Sequence, residues 1–406
     1  MRNFFLLIRT FNSQLRLILY AQAIIGLGMG IFTVLLNVYL KTLGLNEGTI
    51  GRILALQSLS AAGASFPMGK IADRFSRKAT YILGIILLTS GFLIATFPLT
   101  PLFLWPAAMI SGFGNGALMV SILPFLQENS RRKQRRYLFN INFSITVLMG
   151  IVAGFFSGGL PLIFQKCGLS DNLHSPIILR ATLLTGIIIL LTSLWPAFKL
   201  SSDKQNPKDP SLLEKSSENE PAPWRMILKF MFTYSLIGFG AGLIVPYFNL
   251  YFQKWTGATI PQIGSVFAIG QLGTALGAFF TTWSSKVLGL TKSVVFSEFS
   301  SLPFMITMAL THNFWLCAIA FFFRGAFMNM AVPIRQRILM ERIAPKFRAR
   351  ASASESASFY IAWAMSMMVS GDLIQNYGYD SCLYITSALY FISGLLYWHF
   401  FQDDKT

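Results

Sequence analysis

The ten residues Gly69-Lys70-Ile71-Ala72-Asp73-Arg74-Phe75-Ser76-Arg77-Lys78 lie between two long apolar segments, and five of them are charged. Charged residues make up only 12% of the chain. Charge is excluded from hydrocarbon, so such a concentration reads as a tight turn at a membrane surface. The composition agrees. Of 406 residues 54% are hydrophobic, Phe alone occurs 38 times, and the mean hydropathy is +0.56, too apolar for a water-soluble protein. About 20 apolar residues cross the hydrocarbon as a helix. Twelve such spans can be marked, at roughly 17–40, 48–68, 79–97, 102–127, 137–163, 177–198, 226–250, 260–284, 292–311, 313–340, 352–373 and 380–401. The expected fold class is an all-α membrane protein of twelve transmembrane helices.

A net charge of +17 would suggest a polyanionic partner in a soluble protein. Here the distribution excludes that. With the N-terminus inside, Lys41, Arg52, Lys166, Arg180 and Lys254 fall outside and Arg324 falls within a span, while the other Lys and Arg lie on the cytoplasmic side. That asymmetry is the positive-inside rule. It implies a multi-pass protein of the plasma membrane (the bacterial inner membrane) with both termini cytoplasmic, and no nucleic-acid partner. Arg2 to Arg16 mixes Phe, Leu and Ile with three arginines, the pattern of an amphipathic helix on the inner surface. The basic start runs into a full-length span, so no cleavable signal peptide is visible. Cys167, Cys317 and Cys382 are scattered, as are His174, His312 and His399. Neither a disulfide framework nor a metal site is expected, and no cofactor.

The chain repeats itself at 212–213 residues. Gly26, Gly28 and Gly30 recur as Gly238, Gly240 and Gly242, and Asn37-Val38-Tyr39 as Asn249-Leu250-Tyr251. Ile50-Gly51 recurs as Ile263-Gly264, Gly112 as Gly325, and Gly158 as Gly371. Glu128, Lys133 and Arg135 recur as Glu341, Lys346 and Arg348. Two six-helix bundles in parallel orientation follow, residues 1–198 and 225–406. Between them, 199–224 is rich in Ser, Pro and charged residues without apolar period, a cytoplasmic tether.

The opening stretch resembles the G-x-x-x-D-R-x-G-R-K signature joining the second and third helices of major facilitator superfamily transporters. Gly69, Asp73, Arg74, Arg77 and Lys78 match, and Ser76 replaces the second glycine. Together with the repeat, the resemblance covers nearly the whole chain. It implies alternating access between two bundles, with the aspartate equivalent to Asp73 bonded to the start of the eleventh helix and closing the cytoplasmic side. An anion at a helix N-terminus gains about 0.3–1 kcal/mol, and Ser352-Ala353-Ser354-Glu355 offers a capped start for that helix. Loop charge alone would explain Arg74, Arg77 and Lys78, but not Gly69 or Asp73. Glu128 with Arg135 and Glu341 with Arg348 are read as gate clamps, against the plainer reading of solvated surface charge.

Gly150-x-x-x-Gly154-Phe155-x-x-Gly158-Gly159 is similar to the g-x-x-x-G-P-x-x-G-G signature of the family's drug and metabolite antiporters, with Phe155 in place of proline. A small-residue packing seam explains it equally. A second antiporter mark, an arginine four residues before Gly112, is replaced by Ala108. Gln22, Gly26, Gly30, Thr33 and Asn37 make one polar or small stripe on the first span, repeated as Tyr234, Gly238, Gly242 and Asn249. In the superfamily the first, fourth, seventh and tenth helices line the cavity. Gln22, Asn37, Tyr234 and Asn249, with Asn115 on the fourth span, are therefore substrate candidates. Glycine at these sites serves close packing as readily.

Charges deep in the spans are few: Arg324, Glu298 and, one turn in, Glu355. A membrane-buried charge costs at least ~2.5–3.5 kcal/mol and marks a functional site unless paired. Arg324 is a candidate for an anionic solute, or else the ion-pair partner of Glu298 or Glu355. The two acids are the proton-coupling candidates. The expected function is secondary active transport of a small organic solute coupled to protons, by antiport in the export direction, in a monomer. The alternatives are uptake of a metabolite or organic anion with protons and, in another class, lipid flipping. An enzyme would need a nucleophile or metal cluster, and none is present.

Overall fold

The computed structural model describes residues 11–201 and 223–402, apart from 75, 99 and 131. Of the surface arm expected over Arg2–Arg16, residues 2–10 fall outside the described residues and Ser13 to Arg16 belong to the first long helix; most of the tether at 199–224 also falls outside. The helices follow the apolar spans closely: α1 (Ser13–Thr42), α2 (Glu47–Arg74), α3 (Arg77–Thr96), α4 (Leu104–Glu128), α5 (Arg132–Lys166), α6 (Pro176–Thr192), the short α7 (Leu194–Phe198), α8 (Trp224–Ile244), α9 (Phe248–Trp255), α10 (Ile260–Leu288), α11 (Leu290–Leu310), α12 (Phe314–Arg342) and α13 (Arg348–Phe401). Among the described residues ten stretches are long and apolar enough to cross a membrane. One of them, Pro345–Phe401, is two spans divided at Gly378, whose φ of 85° no other residue type adopts readily. Adding α2, which has the length but more polar residues, gives the twelve spans the sequence predicts.

The opening motif is less of a turn than expected. Gly69 to Arg74 continue α2, and nothing lies within 4 Å of a Cβ at Gly69. α2 ends at Arg74 and α3 begins at Arg77. Ser76 is the N-cap of α3, its hydroxyl accepting the Ala79 N–H. The equivalent reversal in the second half is Gly289, with φ 81°, between α10 and α11. The expected cap at Ser352 is also corrected. A single helical turn at Pro345–Phe347 starts α13 earlier, so Ser352 to Glu355 lie inside the helix.

By packing, the chain divides into Met1–Tyr39 with Leu56–Leu212, and Leu40–Ala55 with Leu213–Thr406. The boundary at 199–224 is thus joined by an exchange that no composition shift announces. In the second unit the Leu40–Ala55 segment is tied down by Arg52 Nη1 to Asp372 Oδ2 at 3.2 Å. Tyr247 donates to the Glu47 carbonyl at 3.2 Å, and Gly371 packs directly on the Glu47–Gly48 backbone.

The glycine triplets explain how each bundle closes. In the first unit a Cβ at Gly26 would stand 3.2 Å from Met149 Cβ, and one at Gly30 would overlap Ala153, so both glycines hold α1 against α5. Gly28 faces the opposite way, toward Leu190 and Gly186 of α6. In the second unit Gly238 and Gly242 lie on Phe359 and Trp363 of α13, and Gly240 on Tyr390 and Thr386 beyond the Gly378 break. The same alternation recurs at the ends: Tyr39 donates to the Thr96 carbonyl and Tyr251 to the Met308 carbonyl, each at 2.7 Å. Without a hydrophobic force between helices in lipid, such backbone approaches supply the packing.

Candidate functional site

The site is built inside the second unit, where α8, α11, α12 and both halves of α13 converge. Arg335 on α12 has 3% of its side chain exposed and Glu298 on α11 has 1%. Arg335 Nε donates to Glu298 Oε1 at 3.0 Å, and its Nη2 donates to the same oxygen. Ser393 Oγ accepts a second bond from Nη2 at 3.3 Å and itself donates to the Thr233 carbonyl at 3.0 Å. The guanidinium lies 4.3 Å from the Tyr397 ring centroid and 5.6 Å from that of Tyr234. Two helices and two aromatic faces therefore fix its orientation.

Glu355 is fully buried nearby on α13. Gln336, the residue after Arg335, donates to its Oε2 at 3.0 Å. Among the described residues its Oε1 is enclosed without a hydrogen-bond partner, as are Glu298 Oε2, Arg335 Nη1 and the Tyr397 hydroxyl. Two carboxylates and one guanidinium thus share this interior. The cation is bonded to Glu298, leaving Glu355 bonded to a neutral amide. Such a cluster of unmet polar atoms is costly unless it has a task, and it is suited to holding one exchangeable proton.

Arg324 stands elsewhere on α12, eleven residues or roughly 16 Å up the helix from Arg335. It does not pair with Glu298 or Glu355, so the ion-pair alternative for it is not what forms. Its Nη2 donates to the Tyr390 hydroxyl at 3.3 Å, with the Phe248 ring 5.1 Å from its guanidinium carbon.

Other expected residues are distributed more plainly. Tyr234 belongs to the Arg335 cluster and lies tilted against Phe359, ring centroids 4.7 Å apart. Asn37 and Asn249 are buried, and the Asn249 Oδ1 accepts the Leu250 N–H. Gln22 and Asn115 are half-buried. Gly154 and Gly158 are buried, but α5 meets α1 through Met149 and Ala153, and nothing surrounds a Cβ at Gly159. Gly150 is half-buried.

At the expected cytoplasmic end of the first unit, Arg77 Nε bonds Glu128 Oε1 at 2.7 Å and Lys78 Nζ bonds the Phe198 carbonyl at 2.7 Å. Glu128 is thereby tied to the motif itself. The side chains of Asp73 and Arg135 fall outside the described ones, and Arg74 is exposed. In the second unit Glu341 pairs with Arg337 on its own helix at 2.7 Å, while Arg348 Nε donates to the Ile343 carbonyl at 3.0 Å. Glu341 and Arg348 are therefore not bridged, because Arg337 one turn back on the same helix reaches the carboxylate first.

Arg335 is not singled out by the sequence, where it reads with the cytoplasmic run Arg337–Arg342. The signal was there. Glu298 is eight residues into α11 and Arg335 is seven from the end of α12. Consecutive antiparallel helices bring such positions to one depth.

The Major Facilitator Superfamily model matches residues 18–233 and again 230–406. The uncharacterized MFS-type transporter YceJ of Bacillus subtilis is 20% identical over 356 residues, 86% of this chain and 86% of YceJ. The proton-coupled antiporter flippase LtaA of Staphylococcus haemolyticus is 21% identical over 361 residues, 86% of this chain and 84% of LtaA. The crystal structure of the nucleoside transporter NupG superposes with a TM-score of 0.74 over 97% of this chain and 100% of its own, at 14% identity, a likeness of fold. With the repeat, the twelve spans and a family match in each half, the chain belongs to the major facilitator superfamily, as a multi-pass membrane transporter of small solutes and not an enzyme.

Proposed function

We propose that this chain is a proton-coupled exporter of a small organic solute in the bacterial inner membrane, with Glu355 taking up and releasing the proton. One observation carries the reading. Glu355 is buried in an apolar span, held through one oxygen by Gln336, while Arg335 is bonded to Glu298. Protonating Glu298 would break an ion pair, whereas protonating Glu355 breaks none. Glu298 therefore anchors and Glu355 titrates. Carboxylates so placed are the usual proton carriers of membrane transporters.

Antiport is supported by the partial glycine signature at Gly150–Gly159 and by the likeness to LtaA, a proton-coupled antiporter flippase by name. Arg77 with Glu128, together with Gly69, Asp73, Arg74 and Lys78, forms the cytoplasmic gate in this reading. Both termini and residues 199–224 lie in the cytoplasm, and the working unit is a monomer. A second reading, uptake of an organic anion with protons, is favoured by Arg324, buried and, among the described residues, without a carboxylate partner. Everted vesicles from an overexpressing strain, screened with drugs, sugars, organic acids and a fluorescent lipid, separate the readings. Export by antiport predicts accumulation inside everted vesicles only while they are acidified within. Solute leaving under the same gradient supports symport, and movement of the lipid alone supports flipping.

A further inference from the structure

The sequence marks Arg324 as exceptional; its surroundings in the fold say what it holds. It lies ten residues into α12, about 15 Å along the helix axis, near the middle of hydrocarbon about 30 Å thick. Only 8% of the residue is exposed. Among the described residues no carboxylate forms an ion pair with it, since Glu298 is bonded to Arg335 and Glu355 to Gln336. A phenol at 3.3 Å and an aromatic face do not neutralise a guanidinium in such a medium, and the residue is kept at a cost of at least ~2.5–3.5 kcal/mol.

The hydrogen-bond inventory is directional. Nη2 carries the bond to Tyr390, and Nε is enclosed with no partner. These two nitrogens lie on one edge of the guanidinium, the edge that receives a carboxylate through two parallel bonds. Tyr390 is set rigidly for this task. Its ring packs on Gly240, where a Cβ would stand 3.0 Å from Cε1, and Thr386 one turn earlier bonds the Gly240 carbonyl at 2.8 Å. Its hydroxyl can turn its proton toward the same anion. Phe248 covers the guanidinium and meets Phe321 edge to face at 4.9 Å, an apolar wall for the body of a ligand. The next residue is loosely packed. A Cβ at Gly325 would meet only the Gly270 carbonyl, at 3.8 Å, whereas its repeat partner Gly112 presses on Ser60 and the Gln57 backbone.

We propose that Arg324 and Tyr390 form a carboxylate subsite, and that the transported solute is a small organic acid whose apolar body lies against Phe248 and Phe321. The inference rests on the reading of the chain as a solute transporter, but it is independent of proton coupling and of direction.

The test is equilibrium binding to the purified full-length protein in nanodiscs, without any gradient. The probes are benzoate, salicylate and octanoate, with benzamide as the uncharged counterpart, read by thermal stabilisation and by displacement of radiolabelled salicylate. At least one acid should bind saturably while benzamide does not. Losing charge-assisted bonds in Arg324→Gln should abolish binding, and Arg324→Lys should weaken it by roughly tenfold to a hundredfold. Removing one neutral hydrogen bond in Tyr390→Phe should weaken it by about threefold to tenfold. Cys167→Ser, at an exposed position outside the site, should bind as wild type does, and the absence of a gradient separates failure here from failure of the coupling reading. The proposal is overturned if no acid binds the wild type, or if Arg324→Lys and Tyr390→Phe bind as tightly as wild type does. Recovery of an unstable Arg324→Gln by Glu298→Gln would likewise overturn it, making Arg324 an ion-pair member.

Discussion

Replacing Glu298 by Gln removes one charge at nearly constant volume, and its cost can be worked from the site. The carboxylate accepts two bonds from Arg335 through a single oxygen, both side chains are almost fully buried, and Arg335 Nη1 already lacks a partner. Without Glu298 the guanidinium keeps the Ser393 hydroxyl and two aromatic faces, none of them an anion. Breaking a buried ion pair from one side costs about 3–5 kcal/mol. For a unit of roughly 200 residues each kcal/mol moves the melting temperature by about 2–4 °C, so a fall of about 6–20 °C is expected. Removing both partners, as in Glu298→Leu with Arg335→Met, should recover most of it, because an apolar pair of similar volume carries no desolvation cost. A thiol-reactive dye can report the unfolding. Cys317 and Cys382 are buried and Cys167 is exposed, so Cys167→Ser leaves only reporters that unfolding uncovers. A Glu298→Gln protein that melts within about 2 °C of wild type would refute the reasoning, being under the cost of one broken buried pair. So would a double variant as unstable as the sum of the singles.

Three further outcomes follow from the packing, the motif and the charge pattern. Gly242→Ala should destabilise by about 1–3 kcal/mol, since its methyl would meet the Trp363 carbonyl at 2.5 Å, whereas Gly325→Ala should be neutral or gain up to about 1 kcal/mol from helix propensity; thermal melts of the two variants compare them directly. Arg77 and Glu128 are part-exposed, so Arg77→Gln should cost under about 1 kcal/mol of stability yet slow turnover, with Arg77→Glu plus Glu128→Arg restoring it; normal transport by the single variant would remove the pair from the gate. Reporter fusions after Gln165 and Thr256 should read external and those after Lys208 internal; an external signal at Lys208 would overturn the topology.

Much of this molecule is legible because lipid makes the rules few. Every span must satisfy its backbone internally, so apolar length alone locates the helices, and the repeat is visible because the glycines that close each bundle have no substitute. What escaped reading is instructive in the same terms. Gly69 to Arg74 stay helical because charge at a membrane surface does not by itself break a helix, and only Ser76 supplies a cap. The start of α13 was displaced from Ser352 by Pro345, whose fixed φ suits a first turn. The transfer of Leu40–Ala55 to the second unit depends on contacts with residues 200 and 320 positions away, Tyr247 and Asp372, which no local pattern encodes. Arg335 was hidden by its neighbours: three arginines within eight residues suggest a basic surface, and only the helix period separates the buried one from Arg337 and Arg342. Once Arg335 claims Glu298, the remaining carboxylate and the remaining arginine acquire distinct parts.

The central claim is that Glu355 couples solute to proton, and proton flux tests it most directly. Protein reconstituted in liposomes containing pyranine is given a pulse of the solute that the vesicle screen identifies, and the internal pH is followed alongside labelled solute. Wild type should move protons in fixed proportion to solute. Glu355→Gln should lose the proton signal and gradient-driven accumulation while still exchanging labelled for unlabelled solute across the membrane. Proton movement at an unchanged ratio in Glu355→Gln would contradict the account.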